Sequence, residues 1–369
     1  MKDWVKEKLE QIEALYPPEK VEKRRERWRA LWEGKPKTDR RPFVCTYYHE
    51  PYCPAPDFET RLREGLDEII VRASIDDDYI PSLFTGCRQS TIPSMFGAEE
   101  IFLENNDVTC RKLIKSPADV AALPRHSMAG GTVARMWLDM EEYFLTETEG
   151  KLPIHVTDMQ GPFDVAGQLW GYEELFVCAY EKPEIYHELI QKLTDAFIDF
   201  WNAQKALLGE RFVPTHLFAW DWVPEDFGGS MSVDSLAMIS KPFYDEFYRP
   251  YIEQIAKRLG KLAVHSCGDF SAVVKSLCKT KGIVAVNAGQ MSLRSLFDAG
   301  MTPDTLAITF THYEQIDDLF EVCKQFGARV VIGLGWVWNF QKPFAEWDSE
   351  DFGRLKAIER HMHQKLSEI

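Results

Sequence analysis

The chain has 369 residues, of which 45% are hydrophobic, enough for one large hydrophobic core. The apolar runs are much shorter than the roughly 20 residues of a membrane-spanning helix, and the charged N-terminal segment has no apolar core of a secretory signal. A formal net charge of -15 without a basic stripe argues against a nucleic-acid partner, and eight irregularly spaced cysteines argue against a disulfide framework. We therefore expect a cytoplasmic protein that binds neither membranes nor nucleic acids.

Residues 1–34 are predicted to form a helical extension. Helical periodicity covers residues 3–15 and 21–32, and Pro17 and Pro18 interrupt it. The second helix contains five basic residues, Lys23, Arg24, Arg25, Arg27 and Arg29. They are predicted to form a solvent-exposed face of this helix. Residues 35–369 are predicted to form the single remaining domain.

From residue 43 onward, short strand-like segments alternate with helical segments. Strands are predicted at residues 43–48, 79–84, 152–157, 216–220, 262–265, 283–287, 306–310 and 329–333. The segment 233–258 has helical periodicity but contains Pro242 and Pro250, so it is predicted to be two helices or one kinked helix. About eight strand–helix units predict an α/β fold with parallel strands, closed as a (β/α)8 barrel of the TIM type.

Functional groups of such a barrel lie at the carboxyl ends of its strands. Asp158 and Asp221 directly follow predicted strands, and we expect catalytic roles for them. A structural turn remains an alternative for Asp158, and a loop cap or an orienting contact to His265 for Asp221. Asp164 is expected to cap the helix that follows it. Aromatic and polar residues at or near strand ends are predicted to contact substrate: Tyr48, His49, Gln160, Trp222, Asn287, His312 and Trp336. A structural turn is the alternative for Gln160, packing at the barrel top for Trp222 and Trp336, and a surface or core position for His49 and His312.

A His-x-Cys pair, His265 and Cys267, lies at the end of another predicted strand. Residues i and i+2 of an extended segment point the same way, so both side chains are expected to face the barrel mouth. An imidazole and a thiolate are good zinc ligands at about 2.0–2.3 Å. The pair predicts a metal site, although two residues of this kind are also compatible with a purely structural role.

Three stretches resemble the uroporphyrinogen decarboxylase superfamily. They run from Arg27-Trp28 to Arg41-Pro42-Phe43, from Thr157-Asp158-Met159-Gln160-Gly161-Pro162 to Leu175, and from Met231-Ser232 to His265-Ser266-Cys267-Gly268. Their order and spacing cover nearly the whole chain. The resemblance implies a (β/α)8 barrel enzyme and, as in many members, a homodimer.

The sequence resembles the corrinoid-dependent zinc methyltransferases of this superfamily more closely than the true decarboxylases. The decarboxylases bind their acidic substrate with arginines after the first strand, and residues 45–50 contain none. They also use a carboxylate after the second strand, where Arg88 stands here. The methyltransferase resemblance implies a zinc ion on His265 and Cys267. It also implies cobalamin on a separate corrinoid protein, because the chain has no Asp-x-His-x-x-Gly cobalamin signature.

The resemblance also implies a third zinc ligand, a cysteine after the last strand, and residues 332–338 contain no cysteine. Substitutes that remain open are Cys45, Cys87, Asp221, Glu225 and His312. The leading hypothesis is a methyltransferase that moves a methyl group between a small-molecule donor or thiol acceptor and a corrinoid protein. The alternatives are a metal-free carboxy-lyase, in which Arg88 would bind a substrate carboxylate, and a non-catalytic ligand-binding barrel.

Overall fold

The computed structural model describes residues 1–34, 39–45, 57–103, 108–215, 222–334 and 348–368. Its helices are α1 (Asp3–Leu15), α2 (Pro18–Glu33), α3 (Phe58–Arg72), α4 (Thr91–Ser94), α5 (Ala118–Ala122), α6 (Val133–Glu147), α7 (Pro162–Trp170), α8 (Tyr172–Glu181), α9 (Pro183–Leu208), α10 (Lys241–Phe243), α11 (Arg249–Leu259), α12 (Ser271–Leu277), α13 (Leu293–Asp298), α14 (Ile316–Phe326) and α15 (Ser349–Leu366). Its strands are β1 (Phe43–Cys45), β2 (Leu83–Phe84), β3 (Glu100–Phe102), β4 (Val108–Cys110), β5 (Ile154–His155), β6 (Phe212–Val213), β7 (Phe227–Ser232), β8 (Lys261–Ser266), β9 (Ile283–Ala288), β10 (Leu306–Thr311) and β11 (Val330–Leu334).

The predicted α/β fold with parallel strands is confirmed. Six strands form a parallel sheet in the order β1-β11-β10-β9-β8-β7, and a smaller parallel sheet has the order β2-β5-β6. Single bridges join Cys87 to Asp158 and Gln160 to Ser232, so the chain beyond β5 reaches the carboxyl end of β7. Within the described residues no strand pairing joins β1 to β2, and a closed barrel is therefore not shown.

Strand β7 was not predicted from the sequence, and the strand predicted at residues 216–220 lies outside the described residues. The sequence of β7 contains Gly228 and Gly229 and no β-branched residue, so it lacks the usual strand signal. Both glycines are required by close packing. A Cβ atom on Gly228 would lie 2.5 Å from the main chain that leads into β8, and one on Gly229 would lie 2.4 Å from the ring of Trp201.

The segment 233–258 is interrupted, as its prolines predicted. It consists of a 3-10 turn at Asp234–Met238, α10, a π-helical turn at Tyr244–Tyr248, and α11. Pro250 lies in the first turn of α11, where a missing N–H group costs little. The break between β7 and α11 leaves the 3-10 turn at the carboxyl edge of the sheet.

The long helix α9 supports one flank of the fold. It begins at Pro183 and ends before Gly209, which has a positive φ of 54°. Its buried face includes Leu193, Phe197 and Trp201. Across the described part of the chain, no helix is both long and apolar enough to cross a membrane.

The basic residues of α2 do not form one solvent-exposed face. The prediction was wrong for Arg24 and Arg27, which are buried. Arg27 contacts Asp78 with Nη1 and Oδ1 2.8 Å apart, and Arg24 donates a hydrogen bond to the Tyr79 carbonyl. Asp78 is fully buried and also accepts a hydrogen bond from the Phe43 main-chain N–H at 3.0 Å. These guanidinium groups therefore hold α2 against the chain around β1.

Candidate metal centre

Two neighbouring strands bring a carboxylate, an imidazole and a thiol to the same edge of the large sheet. Strand β8 carries His265 near its carboxyl end, and Cys267 follows the strand directly. Asp234 begins the 3-10 turn after β7. Because β7 and β8 are parallel and Ser232 lies opposite His265, the residues that follow Ser232 lie beside those that follow His265.

The three side chains are close enough to share one cation. His265 Nε2 lies 3.3 Å from Cys267 Sγ and 3.6 Å from Asp234 Oδ1. One ligand atom from each residue lies within 4.8 Å of the other two. Ligand bonds of about 2.0–2.3 Å in a tetrahedral site place neighbouring ligand atoms about 3.3–3.8 Å apart. The donor set and its spacing therefore fit a zinc ion.

Sequence reasoning missed Asp234, although it lies within one of the stretches that resemble the superfamily. The reason is that β7 was not recognised, so the residues after its carboxyl end were not considered. A Ser-Val-Asp sequence directly after an extended glycine-rich segment was the signal that could have identified it. Five residues were open as the third ligand. Four of them are described and do not join this cluster: Cys45, Cys87, Glu225 and His312. The fifth, Asp221, lies outside the described residues.

Asn287 fixes the orientation of the His265 ring. It lies opposite His265 on β9 and is fully buried. Its Nδ2 donates a hydrogen bond of 2.9 Å to the Ile308 carbonyl, so its Oδ1 faces the imidazole and accepts from His265 Nδ1. Nδ1 therefore carries the ring proton, and the Nε2 lone pair points toward Cys267 and Asp234. The position behind the ring gives Asn287 an orienting contact in place of the predicted contact with substrate.

The electrostatic environment keeps the free Cys267 thiol protonated. Burial, together with the nearby charge of Asp234, raises the pKa of Cys267 to about 12. Close approach of a divalent cation reverses this preference, because the thiolate is the form that binds metal. The pKa of the half-buried Asp158 is raised to about 6 by burial, and the Asp234 charge adds to this while His265 opposes it.

Two predicted site residues lie next to this cluster. Asp158 Oδ1 accepts a hydrogen bond of 3.4 Å from the Ser232 hydroxyl, two residues before Asp234. Gln160 Nε2 lies 3.5 Å from Asp234 Oδ2. The structure therefore brings Asp158 and Gln160 together with His265 and Cys267 at one edge.

Asp164 does not have the role expected from the sequence. It lies inside the first turn of α7 and is buried, and its carboxylate accepts hydrogen bonds from the main-chain N–H groups of Asp234 and Ser235. Burial, with a contribution from the Asp234 charge, raises its pKa to about 7. Asp164 thus binds the 3-10 turn after β7, and the prediction that it caps the helix that follows it was wrong.

Arg88 and Trp222 are not part of the cluster. The Arg88 guanidinium is buried and contacts both Glu100 carboxylate oxygens at 2.9 and 3.1 Å. Trp222 lies before β7, and its carbonyl accepts a hydrogen bond of 3.0 Å from Trp32 Nε1. Trp32 packs against Phe227, the first residue of β7. The length of β7 therefore separates Trp222 from the edge that carries Asp234.

The remaining predicted site residues stay predictions. His312 is exposed and directly follows the carboxyl end of β10. Four others lie outside the described residues, and they are Tyr48, His49, Asp221 and Trp336.

Comparison with known proteins supports the resemblance that the sequence motifs indicated. Residues 83–207 match a family model described as uroporphyrinogen decarboxylase (URO-D). The uroporphyrinogen decarboxylases of Xanthomonas axonopodis pv. citri (strain 306) and Xanthomonas euvesicatoria pv. vesicatoria (strain 85-10) are each 26% identical over 175 residues. Each match covers 46% of this chain and 44% of the relative, so the chain spans less than half the length of these relatives.

A solved structure extends the likeness to most of the chain. A methyltransferase from Methanosarcina mazei superposes with a TM-score of 0.59 at 14% sequence identity, over 91% of this chain and 98% of that one. At this identity the likeness concerns the fold. The chain therefore shares its fold with a methyltransferase and resembles the uroporphyrinogen decarboxylase family over residues 83–207.

Proposed function

We propose that this chain is an enzyme that moves a methyl group between a small-molecule donor or thiol acceptor and a corrinoid carried by a separate protein. The observation that carries the proposal is the convergence of Asp234, His265 and Cys267, whose ligand atoms lie within 4.8 Å of one another. The fold shared with a methyltransferase supports it. Asp234, His265 and Cys267 would hold a zinc ion, which would supply a Lewis acid that lowers the pKa of a substrate thiol or binds a methyl donor.

In this proposal Asp234 replaces the cysteine that the zinc methyltransferases take from the loop after the last strand. Asp234 and Cys267 contribute two negative charges, which balance the charge of a divalent cation. His265 contributes the neutral Nε2 that Asn287 directs into the site. With these three residues as its protein ligands, a zinc ion would resemble catalytic zinc sites, which also bind substrate or water.

Asp158 is proposed to accept the proton that a substrate thiol releases. Burial raises the pKa of its carboxyl group above the usual range, which makes Asp158 a better proton acceptor near neutral pH than an exposed aspartate. Gln160, next to Asp234, is proposed to contact substrate. Asp221 is proposed to act in catalysis, and contact with substrate is proposed for Tyr48, His49, His312 and Trp336.

The site is proposed to occupy the mouth of a closed (β/α)8 barrel. Strands β1, β2, β5 and β7–β11 would be its eight members, and β6, which among the described residues pairs with β5 alone, would be a side strand. Residues 35–369 would form this single domain, with residues 1–34 as a helical extension packed on it. Homodimerisation remains a prediction from the resemblance.

Metal content and methyl transfer test the proposed function. Protein purified without chelator should contain about one zinc ion per chain and should transfer methyl groups from methylcobalamin to thiols. Cys267→Ser should lose most of the zinc and the activity. Cys278→Ser, which changes a thiol outside the cluster, should retain both. Less than about 0.2 zinc per chain in the wild-type protein would contradict the proposal.

A metal-free carboxy-lyase is the second candidate, favoured by the uroporphyrinogen decarboxylase match over residues 83–207. It predicts turnover that neither chelators nor Cys267→Ser reduce. The contacts of Arg88 with Glu100 argue against Arg88 as the group that binds a substrate carboxylate. Tight ligand binding without any turnover would instead identify a non-catalytic barrel.

A further inference from the structure

We infer that Asp164 is a positioning residue of the metal centre, which fixes Asp234 by binding the main chain of the turn that carries it. The inference rests on the proposed zinc site. It concerns a residue that touches neither metal nor substrate and acts through Asp234.

The contacts of Asp164 use both carboxylate oxygens. Oδ2 accepts a hydrogen bond of 2.6 Å from the Asp234 N–H, and Oδ1 accepts one of 2.9 Å from the Ser235 N–H. The first N–H groups of a helical turn have no acceptor within the turn itself, and Val233 provides no side-chain cap. The Asp164 carboxylate on α7 therefore accepts hydrogen bonds from the first N–H groups of this turn, as an N-cap side chain does at the start of a helix.

The residues around Asp164 are packed closely against the turn that carries Asp234. Its neighbour Phe163 stacks on Tyr248 with ring centroids 3.9 Å apart and planes 9° apart. Tyr248 lies in the π-helical turn, and its hydroxyl donates a hydrogen bond of 3.0 Å to Ser235 Oγ. Helix α7 and the π-helical turn thus hold the 3-10 turn from two sides.

The same turn is tied to the strand that carries the other two ligands. The Val233 N–H donates to the His265 carbonyl at 2.8 Å, and the Cys267 N–H donates to Asp234 Oδ1 at 2.8 Å. Metal sites tolerate ligand displacements of only about 0.2–0.5 Å. A small shift of the turn would therefore move the Asp234 carboxylate out of ligand distance while His265 and Cys267 stay in place.

The substitution Asp164→Asn tests the inference, because asparagine keeps the shape of the side chain but presents an NH2 group to one of the two N–H donors. We expect the Kd for zinc, measured by competition with a chromophoric chelator, to rise about 10–100-fold. With cobalt(II) in place of zinc, the visible absorption bands should change because a carboxylate ligand is displaced. The circular dichroism spectrum and the free energy of unfolding of the metal-free variant separate this effect from a general loss of structure.

The matched control is Tyr172→Phe. The Tyr172 hydroxyl lies 3.5 Å from Asp164 Oδ1, and its removal leaves both main-chain contacts of Asp164 intact. This variant should bind zinc as the wild-type protein does. If Asp164→Asn does not fold, Asp164→Glu keeps the charge and displaces the oxygens by one methylene group, and the same weakening of zinc binding is expected.

Zinc affinity within about twofold of wild type in a folded Asp164 variant would overturn the inference and leave the proposed function standing. A wild-type protein that binds no zinc would overturn the proposed function and the inference together.

Discussion

At the scale of single residues, the metal centre depends on contacts that set proton positions. His265 presents Nε2 to Asp234 and Cys267 because Asn287 Oδ1 accepts the proton on Nδ1. Asn287 in turn is oriented by its hydrogen bond to the Ile308 carbonyl. The imidazole thus enters the site in the tautomer that binds metal, before any cation is present.

This orientation predicts that Asn287→Ala weakens zinc binding by about 10–100-fold, because the ring loses the acceptor that fixes its tautomer. Competition with a chelator measures the affinity. Asn287→Asp is the matched variant, since it keeps an oxygen acceptor toward His265, and its loss should be smaller. Equal zinc affinity of Asn287→Ala and the wild-type protein would show that the contact has no orienting role.

A second residue-scale feature is a carboxyl group in the core. Glu141 on α6 is fully buried, and the Thr157 hydroxyl is the side-chain group that opposes the effect of burial on its carboxyl group. Burial raises its pKa well above the usual value. As pH rises through the unfolded-state pKa, about 4.3, the unfolded chain releases this proton and the folded chain keeps it. Glu141 therefore lowers the stability of the folded protein progressively as pH rises toward its folded pKa.

We expect Glu141→Gln to remove this pH dependence. Urea denaturation at pH 5 and pH 8 measures the free energy of unfolding of both proteins. The value for the variant minus the value for the wild type should be more positive at pH 8 than at pH 5. The control is Glu142→Gln, which changes an exposed neighbour and should leave the difference constant. Parallel pH profiles of Glu141→Gln and wild type would mean that Glu141 ionises normally in the folded state.

At the scale of elements, ion pairs around Asp78 attach helix α2 to the chain around β1. Its carboxylate is fully buried and contacts Arg27, Arg40 and the main chain of Phe43. Removal of one partner from a buried ionic cluster leaves an uncompensated charge.

Asp78→Ala should therefore lower the free energy of unfolding by about 3–5 kcal/mol, measured by urea denaturation. The comparison variant is Asp39→Ala, because Asp39 also contacts Arg27 but its side chain is 48% exposed. Its cost should be about 0–1 kcal/mol. Similar losses for the two variants would argue that burial does not distinguish the two ion pairs.

The elements also show how far local patterns predict this fold. Strands β8–β11 were predicted because each contains a short apolar run with at least one β-branched residue, and helical segments separate these runs. Strand β7 was missed because its glycines are selected by close packing against Trp201 and the chain before β8, which only the assembled sheet reveals. That omission also hid Asp234, the residue that completes the cluster.

At the scale of the whole molecule, the proposed ligands belong to different parts of the chain, so metal binding favours the folded state alone. Free zinc at about 1,000 times its Kd should stabilise the protein by about 4 kcal/mol. The melting temperature should therefore rise with zinc and fall with chelator, as followed by calorimetry. The control variant His265→Ala should have the same melting temperature with zinc as with chelator. An unchanged melting temperature of the wild-type protein would show that it lacks the site.

The sequence by itself determined the parallel α/β fold and the His265–Cys267 pair, because both follow from local periodicity. Alternating segments predict paired parallel strands, and residues two apart in a strand point the same way whatever surrounds them. The tertiary structure alone decided that Asp234 completes the cluster, that Asp164 binds its turn, that Glu100 engages Arg88, and that Trp222 lies at the opposite edge. These contacts join residues far apart in the chain, and they depend on strand order and register, which no local pattern specifies.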